Sequence, residues 1–249
     1  MNQVILALGI MFVFTSGAFA QQAGPNLKSR AAMIFDAQQG RTLYSKNTDT
    51  IMPIASITKL MTAIVVLDAQ LPLTEEITID STDIDVHKNT RSRLRVGASL
   101  TRQELLRLAL MSSENRAAAA LGRTYPGGIE VFVVAMNNKA FELGMGNSYF
   151  VDSTGLRSAN VSTARDLVKM VEAAYSYDII RKFSTTSVHA VELANNGRSL
   201  QFTNSNSLVR SGNWQIGISK TGFLNEAGRC LVMHANITGK IVNLDTGFF

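Results

Sequence analysis

The sequence predicts an α+β domain in which one sheet is assembled from both ends of the chain around a helical insertion at about residues 75–190. Three observations carry this. Two short strand-like runs, Ala31–Phe35 and Arg41–Ser45, stand at the beginning. Two more, Trp214–Ser219 and Arg229–Ile237, stand at the end. Between them the apolar residues recur at helical rather than alternating spacing.

Each element has its own signature. The first two strands flank Asp36-Ala37-Gln38-Gln39-Gly40, a hairpin signal with glycine for the positive-φ position. Ser56–Ala69 is apolar almost throughout after its first turn, as a helix buried on most sides would be, and Pro72 stops it. Thr101 and Glu104 have capping-box spacing ahead of Leu105, Leu106, Leu108 and Leu110. Ser112-Ser113-Glu114-Asn115 interrupts that pattern before Arg116–Leu121 resumes it, which reads as two helices meeting at a polar turn. Gly127–Leu143 is a further helix, and Thr163 with Asp166 caps another through Tyr175. Gly222–Gly228 separates the last two strands, so Lys220-Thr221-Gly222 closes the first of them.

The 249 residues, 46% of them hydrophobic, suit one sizeable domain. Residues 4–15 form an apolar run too short to span a bilayer, and Ser16-Gly17-Ala18-Phe19-Ala20 follows with small residues in cleavage-site order. This predicts an export signal over residues 1–20, lacking the usual basic start, and a mature periplasmic chain beginning at Gln21. No later stretch is apolar and long enough to be a transmembrane anchor. Cys230 is the single cysteine, so no internal disulfide supports the fold. The formal net charge of +5 is scattered and sparsely interleaved with aromatics, which argues against a nucleic-acid partner.

Three short patterns carry the chemistry: Ser56-Ile57-Thr58-Lys59, Ser113-Glu114-Asn115 and Lys220-Thr221-Gly222. Singly, each has an ordinary reading as a helix cap, a polar turn or a strand end. Their joint placement is more telling. At i, i+3 on a helix Ser56 and Lys59 share a face, so the amine reaches the hydroxyl. A serine hydroxyl needs a base to become a nucleophile, and lysine is a base only when burial or a nearby cation holds it neutral. Lys220 could be that second cation. Free backbone N–H groups around Ser56 suit an oxyanion.

These motifs match those of penicillin-binding proteins and β-lactamases. The similarity extends from about Ala31 to about Val242. Pro53–Ala63, Leu110–Ala118 and Ser162–Leu167 resemble the low-molecular-mass penicillin-binding peptidases. Ser113-Glu114-Asn115-Arg116, Tyr125-Pro126-Gly127-Gly128 and Lys220-Thr221-Gly222-Phe223 resemble their D-alanyl-D-alanine endopeptidase branch, the penicillin-binding protein 7 type. The resemblance implies a β-lactamase/transpeptidase-like fold, a mainly antiparallel sheet flanked by helices. It implies Ser56 as the acylated nucleophile, Lys59 as its base and Ser113 as a proton relay. Asn115, Lys220, Thr221, Gly222 and Phe223 would bind substrate, with the N–H groups of Ser56 and Phe223 holding the oxyanion. It implies no metal or other cofactor, peptidoglycan peptides as partners and β-lactam antibiotics as covalent inhibitors.

Four other readings stand beside it. A β-lactamase of class A would need a deacylating glutamate, but the corresponding stretch is Asp152-Ser153-Thr154-Gly155-Leu156. A triad hydrolase would need a nucleophile elbow beside His87, His189 or His234. A D,D-carboxypeptidase releasing terminal D-alanine uses the same motifs. A peptidoglycan-binding protein with little turnover is suggested by the C-terminus, where resemblance ends at Asn243-Leu244-Asp245-Thr246-Gly247-Phe248-Phe249. There the family's central fifth strand and closing helix look incomplete. Asn243 and Asp245 are poor strand residues, so the chain is expected to leave the sheet near them.

Overall fold

A computed structural model describes residues 27–193, 197, 199–237 and 239–247. The predicted export signal lies outside them. In chain order the elements are β1 (Ala31–Asp36), β2 (Arg41–Lys46), β3 (Met52–Pro53), α1 (Thr58–Asp68), β4 (Glu76–Thr78), β5 (Ser99–Thr101), α2 (Arg102–Met111), α3 (Asn115–Arg123), α4 (Gly128–Glu142) and β6 (Val161–Ser162). There follow α5 (Ala164–Tyr175), α6 (Asp178–Ser184), β7 (Val188–Glu192), β8 (Ser199–Thr203), α7 (Ser207–Ser211), β9 (Gln215–Leu224), β10 (Gly228–Ile237) and β11 (Lys240–Gly247). The main sheet has the order β2-β1-β11-β10-β9, every pairing antiparallel. It is made from both ends of the chain, with the helices between.

Two caps form as their spacing dictates. Thr101 accepts a hydrogen bond from the Glu104 amide and Thr163 from the Asp166 amide, each satisfying an N–H that the first helical turn leaves open. The core lies around α1, whose Leu60, Met61 and Ile64 are buried against Leu105 and Leu106 of α2, Ala117 and Leu121 of α3, and Phe132 of α4. Its continuous apolar run is thus explained, since helices cover it on several sides. A smaller cluster of Met33, Ala164 and Val168, with Phe35, joins β1 to α5. Among the described residues no helix is long and apolar enough to cross a membrane.

Two expectations are corrected. The chain does not leave the sheet at Asn243: β11 runs to Gly247 between β1 and β10, with Asn243 opposite Phe35 and His234, and Asp245 opposite Met33 and Val232. Pairing on both edges outweighs the poor strand propensity of these residues. The residual penalty is visible at Asn243, which is buried with neither side-chain oxygen nor nitrogen hydrogen-bonded. Nor does Lys220-Thr221-Gly222 end its strand. β9 continues through it to Leu224, and Gly222 marks a close backbone approach instead of a break.

Candidate active site

Ser56 lies on the single turn Ala55–Ile57 that leads into α1. Ala55, before it, has φ +48°, a left-handed conformation that a residue with a Cβ adopts only when its surroundings hold it there. The hold comes from Gly155. A Cβ at that glycine, where φ is +78°, would sit 2.0 Å from the Ala55 carbonyl oxygen, so only glycine lets the two backbones meet. Thr58 Oγ1 also donates to the Ala55 carbonyl, at 2.8 Å.

Lys59 is fully buried and donates three hydrogen bonds: to Ser56 Oγ at 2.9 Å, Asn115 Oδ1 at 2.7 Å and the Thr154 carbonyl at 2.6 Å. Burial drives its pKa down to about 7, against which the nearby Asp152, Glu114 and Asp85 carboxylates push upward. The amine therefore titrates at neutrality, where a serine base is useful.

Ser113 sits at the α2–α3 turn with φ +60°, and Asn115 opens α3. Asn115 Nδ2 donates to Thr90 Oγ1 at 2.9 Å, which fixes the amide so that its oxygen faces Lys59. Across the cleft, buried Lys220 donates to Ser113 Oγ at 2.9 Å and to the Thr221 carbonyl at 2.7 Å. Burial, and then the charge on Lys59, holds Lys220 well below the ordinary lysine range. Burial is the largest cause for both amines, and because repulsion between two ammonium groups is mutual, the pair disfavours double protonation. Thr221 Oγ1 donates to Ser205 Oγ at 2.6 Å. Gly222 is close enough that a Cβ there would be 3.0 Å from the Ser56 amide nitrogen. Next to it the Phe223 side chain is 63% exposed. Among the described residues β9 is the sheet's edge strand, with no strand paired on its outer side.

The three motifs, far apart in sequence, thus meet in one cleft. Thr90, Ser205, Thr154 and Gly155 also stand at the site, although no sequence motif singled them out. The last two belong to Asp152-Ser153-Thr154-Gly155, where an aspartate and a glycine at turn spacing are the signal that could have found them. The histidines have other partners: His189 pairs with Glu104, His234 stacks on Tyr175, and His87, exposed beside Arg157, lines the cavity next to Asn115 and Thr154.

A serine hydroxyl hydrogen-bonded to a buried lysine that titrates near neutrality, at the edge of an antiparallel sheet, defines a serine acyl-transfer enzyme. The family model for D-alanyl-D-alanine carboxypeptidase matches residues 18–245. The chain is 45% identical to a Pseudomonas aeruginosa D-alanyl-D-alanine endopeptidase over 98% of its own length and 82% of that protein's. It is 46% identical to an Escherichia coli D-alanyl-D-alanine endopeptidase over 96% of its length and 79% of that protein's. The crystal structure of a Streptomyces DD-transpeptidase superposes with a TM-score of 0.84 at 30% identity, covering 91% of this chain and 92% of that one. The chain belongs to the D-alanyl-D-alanine carboxypeptidase family of serine peptidases.

Proposed function

We propose that this protein is a periplasmic D-alanyl-D-alanine endopeptidase that cleaves cross-links in peptidoglycan through an acyl-enzyme on Ser56, and that penicillins acylate the same residue. The observation that carries the reading is the 2.9 Å hydrogen bond between Ser56 Oγ and a lysine whose pKa burial lowers to about 7.

Neutral Lys59 takes the Ser56 proton as Oγ attacks the D-alanyl carbonyl. The Ser56 and Phe223 amides hold the developing oxyanion, for which the closeness of Gly222 to the Ser56 nitrogen is the supporting observation. The proton that Lys59 has taken passes through the hydroxyl of Ser113, itself held by Lys220, to the departing amine, which leaves Lys59 neutral again and an ester on Ser56. Water then attacks the ester, giving a proton to neutral Lys59, which passes it to Ser56 Oγ as the carboxylate leaves. Asn115, with β9 from Lys220 to Phe223, holds the peptide, whose backbone can pair along the open strand edge. A cavity of about 610 Å³ beside Asn115 and Thr154 provides room for further substrate. Residues 1–20 serve as the cleaved export signal, and residues 21–249 form one peptidase domain with the helical insertion.

Endopeptidase is preferred to carboxypeptidase because the two relatives at 45–46% identity carry that name. The test supplies cross-linked muropeptide dimers and monomeric pentapeptide separately and reads the products by mass. The reading predicts conversion of dimer to monomers. Release of D-alanine from pentapeptide with the dimer untouched would make the protein a carboxypeptidase.

A further inference from the structure

The Asp152 carboxylate is the most heavily bonded acid near the cleft, yet its hydrogen bonds go neither to Ser56 nor to a cationic side-chain group. One oxygen accepts from the Thr154 amide at 2.7 Å, the Thr154 hydroxyl at 2.7 Å and the Gly155 amide at 2.6 Å. The other accepts from the Arg157 amide at 3.1 Å and Asn160 Nδ2 at 2.9 Å. Five donors on one carboxylate over-determine the loop it organises. That loop does two things at the nucleophile. It brings Gly155 against the Ala55 carbonyl, which holds the Ser56 turn, and it aims the Thr154 carbonyl at Lys59 Nζ from 2.6 Å. A surface turn needs no such anchoring.

We infer that Asp152 is a positioning residue for the acylation step: by folding the 152–157 loop it aims Lys59 at Ser56, and by its negative charge it favours the ammonium form of Lys59. The inference rests on the reading of Lys59 as that base. The charge argument has a definite sign. A carboxylate near the amine favours its ammonium form, and among the charges facing Lys59 Asp152 is foremost, ahead of Glu114 and Asp85. Lys220, across the cleft on β9, is held toward its neutral form and so opposes them little. Removing the charge lets Lys59 lose its proton at lower pH. Losing the Thr154 carbonyl as acceptor acts in the same direction. Geometry acts on the rate instead. In the D152N protein a side-chain amide NH2 would replace an acceptor and face donors, either those of Arg157 and Asn160 or those of Thr154 and Gly155, so the loop and the amine would lose their alignment. The D152N protein should therefore acylate more slowly on its alkaline plateau while its acid limb moves to lower pH.

The test is the second-order rate of acylation by a fluorescent penicillin from pH 5 to 9, normalised to the final number of labelled sites, for wild type, D152N, D152E and K59A. Normalisation keeps a partly folded preparation readable. The expected result is a plateau rate reduced tenfold or more in D152N, in keeping with the roughly 10²-fold penalty for misplacement of a reacting group. The variant-to-wild-type ratio should be roughly threefold or more higher at pH 6 than at pH 8, since a tenfold change corresponds to one pKa unit. D152E keeps a carboxylate in the loop, and its acid limb should stay at the wild-type position even where its rate falls. A D152N rate reduced by the same factor at every pH would reduce Asp152 to a structural residue and overturn the inference. A limb displaced alike in D152N and D152E would overturn its electrostatic part. If wild type has no acid limb, or K59A retains it, the reading of Lys59 as base fails first, and that outcome is distinct from both.

Discussion

Lys59 and Lys220 are two buried amines about one reaction, and what they do depends on which carries a proton. A folded-state pKa of about 7, against 10.5 for an ordinary lysine, means that the native protein binds fewer protons than the unfolded chain between those values. Stability attributable to Lys59 is therefore lowest below pH 7, rises with pH through the window from 7 to 10.5, and is level above it. The Lys59→Met variant lacks this term. The stability of wild type relative to that variant should rise by up to about 1.4 kcal/mol per pH unit between pH 7 and 9, read from denaturant unfolding of both proteins at each pH. A constant difference would mean that Lys59 is not depressed. Ser56 with Lys59 was legible at this scale because helical spacing alone puts the pair together. The partners of Lys59 on Asn115 and Thr154, 56 and 95 positions away, depend on tertiary packing that no local period encodes.

Among the elements, the glycines and β11 decide most. Gly155 and Gly40 both have positive φ, +78° and +62°, but only Gly155 has a backbone carbonyl where a Cβ would go. Gly40→Ala should lose about 1 kcal/mol through strain alone. Gly155→Ala should lose over about 3 kcal/mol and, where folded protein is recovered, acylate at least about tenfold more slowly, because the Ser56 turn must move. Thermal melts and penicillin labelling of the two variants side by side check this, and equal losses would contradict it. On β11, Asn243 is buried with neither side-chain atom bonded. Asn243→Val replaces it with an apolar, β-branched residue and should stabilise by about 1–2 kcal/mol, a rise in melting temperature of roughly 2–8 °C for a domain of this size. A fall would mean that the amide has partners in solution. The helices were the most legible elements, since their caps and periods are local. The hairpin of β7 and β8, the short α6 and α7, and the continuation of β9 past Gly222 were not, because pairing partners and close backbone approaches are set by distant chain.

For the molecule as a whole, the arrangement explains why three dispersed motifs make one site. α1 is the buried centre of the helical core and carries Lys59, with Ser56 on the turn that leads into it. The α2–α3 turn brings Ser113 and Asn115 from one side, and the edge strand β9 brings Lys220 and Thr221 from the other. The fold class was readable because the strand signals stood at the two ends of the chain and the helical signals between. The C-terminal strand was misread because propensity was weighed without the two neighbours that pair with it. The central claim is that Ser56 is the residue acylated, with Lys59 as its base. It is tested most directly by incubating the protein with penicillin at pH 8, digesting it and locating the adduct by mass spectrometry. The account predicts one penicilloyl group on the peptide containing Ser56 in wild type, none in Ser56→Ala, and labelling slowed at least about 10²-fold in Lys59→Ala. An adduct on another residue, or undiminished labelling of the folded Ser56→Ala protein, would contradict it.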